Sequence, residues 1–143
     1  MDIEGPSSVT LTGSGSWFQW ISIIRKYAVN LGIWDLIDPQ QPTRTAINLP
    51  EKPKPSDVKP EAVTITDLND AQFKRLESLQ NDYRVDLQTY QRQQKALLIV
   101  QQHIIKTVGS YYDMIATEDS VLRQLQLLQG RLKPTVWEFE KRS

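Results

Sequence analysis

A seven-residue repeat in the middle of the chain constrains the fold more than any other feature. A leucine, tyrosine or isoleucine stands at every seventh position from 76 to 104. This heptad stripe is typical of a long amphipathic helix with one packed face. We therefore predict one long helix, or two collinear helices, from about Thr66 to Gly109. The stripe consists of Leu76, Tyr83, Tyr90, Leu97 and Ile104, with Leu79, Leu87, Val100 and Val108 on the same side.

The partner of this apolar face is either the rest of the chain or a second copy of the chain. Tyr83 and Tyr90 occupy core-type positions, where they suit the narrow seam of a parallel dimer poorly. Packing within the chain is therefore favoured. Basic and acidic residues are interspersed along the same helix, which indicates a solvated surface and not a track of cations for nucleic-acid phosphates.

Another helix is predicted near the N-terminus, where three of the four tryptophans fall between positions 17 and 34. Apolar residues recur with helical spacing over residues 17–31. Ser14 or Ser16 is the expected N-cap, and Gly32 is the expected C-terminal stop. A short helical turn over 33–37 follows. Aromatic residues at helical spacing belong to a core more often than to a ligand platform, so we predict core positions here. These are Trp17, Trp20, Ile24, Leu31, Trp34 and Ile37.

The composition changes abruptly after this region. Six prolines fall between positions 39 and 60, a density that excludes helix and favours an extended, partly polyproline-like loop over 39–66. Part of the loop has the Pro-x-x-Pro spacing that docks in aromatic grooves, although a plain connector is the alternative. We expect this loop to project from the domain. The candidate protein-contact residues are Pro50, Lys52, Pro53, Lys54 and Pro55.

The C-terminal third predicts two more helices. A short one covers residues 111–115, and a leucine-rich one runs to Leu132 with Thr117 or Ser120 as its cap. A further helix starts near Thr135. The expected fold is all-α, a small bundle of about five helices. Its parts are an extended arm over 1–15, a helical domain over 16–133 that contains the loop 39–66, and the start of a linker or next helix over 134–143.

The sequence offers no combination of residues that predicts a catalytic, cofactor or metal site, so we expect no enzyme. The chain has no cysteine, and His103 is the only histidine, which leaves a zinc site or a catalytic dyad without its partners. The acid pairs Asp35/Asp38 and Glu118/Asp119 fall at predicted helix ends, where carboxylates cap turns or complement the helix dipole. No glycine-rich phosphate loop is present.

Charge and hydropathy predict a cytoplasmic protein without membrane contact. Seventeen basic and seventeen acidic residues balance, so no net field attracts nucleic acid or anionic lipid. The first residues carry acids at Asp2 and Glu4, where a signal peptide needs positive charge. The longest apolar run, over 96–100, is too short to span a bilayer.

The order of motifs resembles the Gag protein of copia-type LTR retrotransposons, fungal ones in particular. In that family a Leu-x-Gly segment, here Leu11 and Gly13, precedes an aromatic-x-x-Trp helix, here Trp17 and Trp20. The helix closes on a second aromatic motif that ends in Asp-Pro, here residues 34–39. A linker, a long helix and a leucine-rich helix follow in both. One departure concerns the leucine-rich helix, which carries an early tryptophan in the family and a Val-Leu pair at 121–122 here.

The resemblance implies the N-terminal domain of a capsid protein. Such a domain builds the shell of an intracellular virus-like particle through weak, repeated contacts between identical helical surfaces, so the implied partner is the chain itself. Alone, the domain is expected to be a monomer or weak dimer, because shell contacts gain strength from multivalency. Nucleic acid would be bound only by regions outside this chain. The alternative is a helical adaptor, domesticated from a Gag or unrelated to one, that binds a partner through the proline-rich loop or the heptad face.

Overall fold

The computed structural model describes residues 8–134, and within that range the chain is all-α, as predicted. Residues 1–7 of the predicted arm and the helix predicted from Thr135 lie outside the described residues. Four single 3₁₀ turns, at Ser14–Ser16, Pro55–Asp57, Ile65–Asp67 and Gly109–Tyr111, connect longer elements. The five α-helices of the described range are α1 (Trp17–Asn30), α2 (Trp34–Ile37), α3 (Asp70–Thr107), α4 (Tyr112–Ile115) and α5 (Val121–Leu132).

The chain divides into two compact units. The first unit combines the described residues up to Thr45 with those from Lys95 onward, and the second unit covers Ala46–Gln94. Helix α3 is one uninterrupted helix of 38 residues and contributes to both. That residues 16–133 form one domain stays a prediction.

The first unit packs its helices around two tryptophans of α1. Trp17 and Trp20 are each 1% exposed, and their ring centroids lie 5.7 Å apart with the planes tilted by 37°. Each fully buried large apolar side chain stabilises the fold by roughly 1.5–3 kcal/mol. The remaining core of this unit comprises Leu11, Ile24, Ala28, Ile33, Leu36, Ile37, Ala96, Val100, Ile104, Val108, Ile115, Val121, Leu125, Leu128 and Leu132.

Two of the six predicted core residues are only half-buried. Leu31 and Trp34 are of intermediate exposure, whereas the other four are buried. Leu31 follows the last residue of α1, and the next residue, Gly32, turns the chain with a φ of 75°. The amide of Ile33 then donates to the carbonyl of Ala28 at 2.9 Å. Ile33 is 2% exposed and is buried in the core between these two half-buried residues.

Of the serines predicted as N-caps, Ser120 caps its helix, whereas Ser16 does not. Ser16 precedes α1 but makes no capping bond to the helix. Its Oγ instead donates to the Gly13 carbonyl at 3.2 Å and accepts from the Thr12 amide at 2.9 Å, which fixes the turn before the helix. Ser120 does cap α5, because its Oγ accepts from the Arg123 amide at 3.3 Å.

The second unit consists of residues 46–69, which contain most of the proline-rich segment, and the first two-thirds of α3. The helix begins at Asp70, after a reciprocal capping box in which the amides and side chains of Asn69 and Gln72 bond at 2.8 and 3.0 Å. The predicted start at Thr66 was therefore too early, since Thr66 lies in a 3₁₀ turn. Leu76 of the heptad stripe is buried in this unit.

The proline-rich segment is tied to α3 at its start. The amide of Ile47 donates to Oε1 of Gln93 at 2.9 Å, and the Gln93 side chain is buried. Further along, Ala62 is buried, and Lys59 donates from Nζ to the carbonyl of Asp67 at 2.9 Å. The segment therefore folds within its own unit despite its proline content.

Candidate protein-interaction surfaces

Thr107, the last residue of α3, holds the first unit together through three hydrogen bonds. Its hydroxyl accepts from Nε1 of Trp20 at 2.8 Å and donates to the carbonyl of His103 at 2.8 Å. Its own carbonyl accepts from the Leu11 amide at 2.7 Å. The indole donor is buried and would be costly to leave without an acceptor. Thr107 thus joins the N-terminal arm, α1 and α3 at one point.

Gly109 lets the arm approach the end of α3. Its φ is 57°, and an added Cβ would come within 3.3 Å of the Leu11 carbonyl oxygen. A side chain there would be strained by the backbone and crowded by the arm. The arm is therefore a packed part of the first unit, with Leu11 1% exposed.

An open groove of about 350 Å³ lies beside α1 and α2. Gln129 of α5 donates from Nε2 to the Pro39 carbonyl at 3.3 Å and so ties the segment after α2 to α5. The walls combine aromatic and apolar side chains with polar ones, among them one cation and one carboxylate. The lining residues are Trp17, Phe18, Ile21, Ser22, Arg25, Trp34, Asp38, Pro39, Gln40 and Gln129.

Three carboxylates of the acid pairs identified in the sequence, those of Asp35, Asp38 and Glu118, make contacts at turns and helix ends. Asp35 pairs with Arg44 at 2.7 Å, and the hydrogen bonds from that guanidinium lower the pKa of the Asp35 carboxyl. Both side chains are about half exposed, so the pair adds little stability. Asp38 accepts from the Gln40 amide at 3.0 Å, and Glu118 accepts from the Ser120 amide at 3.3 Å.

His103 lies in the interior of the first unit. Its side chain is 2% exposed, and its ring centroid lies 6.1 Å from that of Tyr27. Among residues 8–134, no group of three or more histidine, cysteine or acidic side chains is placed to hold a metal ion. No helix in that same range combines the length and apolar character needed to cross a membrane.

Helix α1 presents an exposed apolar and basic face. Phe18 is 44% exposed and Val29 is 54% exposed, and eleven residues bring them to the same side of the helix, about 16 Å apart. Arg25 lies between them on that side and Lys26 beside it, both exposed. The helix contains no acidic residue.

Helix α3 presents a second exposed apolar face within the first unit. Leu98 is 53% exposed and Ile105 is 46% exposed, and a spacing of seven residues places them on one side, about 10 Å apart. Gln102 lies between them and is exposed. Apolar side chains that share one outer face mark protein–protein contact surfaces more often than scattered ones do.

The second unit carries a groove of about 510 Å³ between the proline-rich segment and α3. Leu79 and Tyr83 line it from the helix, and Pro50 and Pro53 line it from the segment. The two prolines of the Pro-x-x-Pro spacing thus line a groove together with one leucine and one tyrosine of α3. The full lining is Pro50, Glu51, Pro53, Asp57, Leu79, Asp82, Tyr83 and Asp86.

The five candidate contact residues of the proline-rich segment divide by exposure. The three prolines among these five are half-buried, whereas Lys52 and Lys54 are exposed. The amide of Lys54 donates to Asp57 at 2.9 Å and starts a 3₁₀ turn. The expectation of a projecting loop is therefore corrected for Pro50 and Pro53, which line the groove along α3.

Comparison of the chain with protein families, with curated proteins and with solved structures finds no match. The likeness to copia-type Gag proteins stays a prediction.

Neither the outer face of α1 nor the groove of the second unit was predicted from the sequence. Phe18 and Val29 lie about 120° around α1 from the predicted core stripe, and two apolar residues outside that stripe were a readable signal. The groove depends on which residues of the proline-rich segment meet α3, and no local pattern encodes that pairing.

Proposed function

We propose that this chain is a structural module that associates with copies of itself, as the N-terminal domain of a Gag-like capsid does. One observation carries the proposal. Two helices of the first unit each present a pair of large apolar side chains on an outer face, Phe18 with Val29 and Leu98 with Ile105. Covering such faces with protein removes apolar surface from water, which favours association.

The polar surroundings of these faces support repeated, reversible contact. Gln102 lies between Leu98 and Ile105 and is exposed, so it can hydrogen-bond across a contact without the desolvation cost of a charge. The chain carries no net charge, which limits repulsion between identical copies. Each face is small, so a single contact is weak and assembly depends on many of them.

Removing apolar surface from the two faces tests the proposal. Sedimentation velocity of the wild-type chain at increasing concentration should show reversible association. The double variant Phe18→Ser/Leu98→Ser should associate at least about tenfold more weakly, because it loses one large side chain from each face. Val63→Ser is the matched control, since Val63 is 82% exposed and lies in the second unit.

Three results would contradict the proposal. A wild-type chain that stays monomeric at every concentration would remove its basis. Equal association of the double variant and the wild type would show that these faces are not the contacts. A loss of association in Val63→Ser as large as that in the double variant would show the same. Circular dichroism melts must show that all variants keep the wild-type fold.

A further inference from the structure

We infer that the basic face of α1 on one copy docks into the acidic groove of the second unit on another copy. The inference rests on the proposed self-association and names the surfaces that meet. The basic face consists of Phe18, Arg25, Lys26 and Val29. The acidic groove is the groove between the proline-rich segment and α3.

The groove has two walls, one from α3 and one from the proline-rich segment. Leu79, Tyr83 and Asp86 are spaced by four and three residues along α3, so they form one continuous wall. Pro50 and Pro53 form the facing wall. An amphipathic helix that lays an apolar edge between such walls is a recurrent mode of protein recognition.

The exposed edge of α1 carries apolar and basic side chains on one side of the helix. Phe18, Arg25 and Val29 follow spacings of seven and four residues, which keep them on one side of the helix. The edge is about 16 Å long, and its two ends are the exposed side chains of Phe18 and Val29.

Charge selects this pairing over the symmetric ones. The groove is lined by four carboxylates, while α1 carries two cations and no anion. Two grooves brought together would repel each other, and so would two α1 faces. Groove against α1 is the combination in which opposite charges meet. The four carboxylates belong to Glu51, Asp57, Asp82 and Asp86.

The contact is therefore head-to-tail. One copy contributes α1 and the next contributes its groove, so the pair keeps one unused groove and one unused α1 face. Contacts of this type close into rings or continue as open filaments, depending on the rotation between neighbours. This is the repeated geometry that a growing shell or tube requires.

Reciprocal charge reversal tests the inference. One variant, Asp82→Lys/Asp86→Lys, reverses the groove, and a second variant, Arg25→Glu/Lys26→Glu, reverses α1. All four side chains are exposed, so both variants should fold. Each variant alone should associate about tenfold more weakly than wild type or worse, because like charges then face each other. An equimolar mixture of the two should recover association in sedimentation velocity at low salt, where exposed charges are least screened.

The matched control, Glu61→Lys/Glu77→Lys, makes the same change of charge on exposed residues of the second unit outside the groove lining. It should associate as wild type does. If the groove variant misfolds in circular dichroism, Asp82→Asn/Asp86→Asn replaces it. If the α1 variant misfolds, Arg25→Gln replaces it. Each neutral variant should also weaken association.

The outcomes separate this inference from the proposed function. If wild type associates and the reversed variants associate equally well, the head-to-tail contact is wrong while self-association stands. The same holds if both variants weaken but their mixture does not recover. If the wild-type chain never associates, the proposed function fails, and the inference fails with it.

Discussion

Replacing Thr107 by valine tests whether the buried hydrogen bond between α1 and α3 holds the first unit together. Valine keeps the shape of threonine and removes the hydroxyl that accepts from Nε1 of Trp20 at 2.8 Å. The indole donor is then left in the core without that acceptor, which costs roughly 1–3 kcal/mol. Against a typical domain stability of about 5–15 kcal/mol, the loss is large enough to measure in urea unfolding followed by far-ultraviolet circular dichroism.

A double-mutant cycle isolates that one bond. The Thr107 hydroxyl also donates to the carbonyl of His103, and valine removes this bond as well. In the Trp20→Phe background the indole donor is absent, so Thr107→Val loses only the bond to His103. The cost of Thr107→Val should therefore be about 1 kcal/mol smaller in that background.

One result of this double-mutant cycle would contradict the role given to Thr107. If Thr107→Val costs the same in both backgrounds, the indole–hydroxyl bond contributes nothing to stability, and Thr107 does not join α1 to α3. The bond from the Leu11 amide goes to the backbone carbonyl of Thr107, so these side-chain substitutions leave it in place.

Four further predictions concern two glycines, a turn carboxylate and a helix cap. Gly32→Ala should cost about 1–2 kcal/mol in urea unfolding, because its φ is 75° but the space around it is open. Gly109→Ala should cost more, since its φ is 57° and the new Cβ would also come within 3.3 Å of the arm. Hydrogen bonds from two backbone amides lower the pKa of the Asp67 carboxyl below its usual 3.8. The Asp67 turn should therefore be fully stabilised above that pH and loosen as the pH falls through the lowered pKa, and a pH titration of backbone amide shifts by nuclear magnetic resonance should follow this loss, which Asp67→Asn should abolish. Ser120→Ala should destabilise the chain by about 1 kcal/mol by removing the cap of α5, as measured by thermal unfolding.

The helices could be predicted because their signals are local. The heptad spacing from Leu76 to Ile104 predicts α3, and the spacing of Trp17, Trp20 and Ile24 predicts the buried side of α1. Helical periodicity depends only on neighbours three, four and seven residues away, so a sequence displays it directly.

The contacts that position the surfaces could not be predicted in the same way. Trp20 and Thr107 are 87 residues apart in the chain, and no spacing rule joins an indole to a hydroxyl over that distance. The predicted N-cap of α1 was wrong because a neighbouring turn competes for the same hydroxyl. Ser16 has the residue type of an N-cap, but its hydroxyl bonds to the preceding turn instead.

The position of the proline-rich segment depends on its packing along α3. Its composition predicts an extended chain, yet Pro50 and Pro53 line a groove along α3. Prolines are already restricted in conformation, so laying them along a helix costs little further entropy. The sequence identifies such a segment as irregular but does not show the surface that it covers.

The most direct test of self-assembly is to amplify the weak contact by multivalency. Fusing the chain to a scaffold that forms small oligomers brings several copies together, so contacts too weak to detect singly act in parallel. Negative-stain electron microscopy of the fusion should then show tubes, sheets or closed particles, which the variants Asp82→Lys/Asp86→Lys and Phe18→Ser/Leu98→Ser should lose. Only isolated scaffold oligomers in the wild-type fusion, at every concentration examined, would contradict the account.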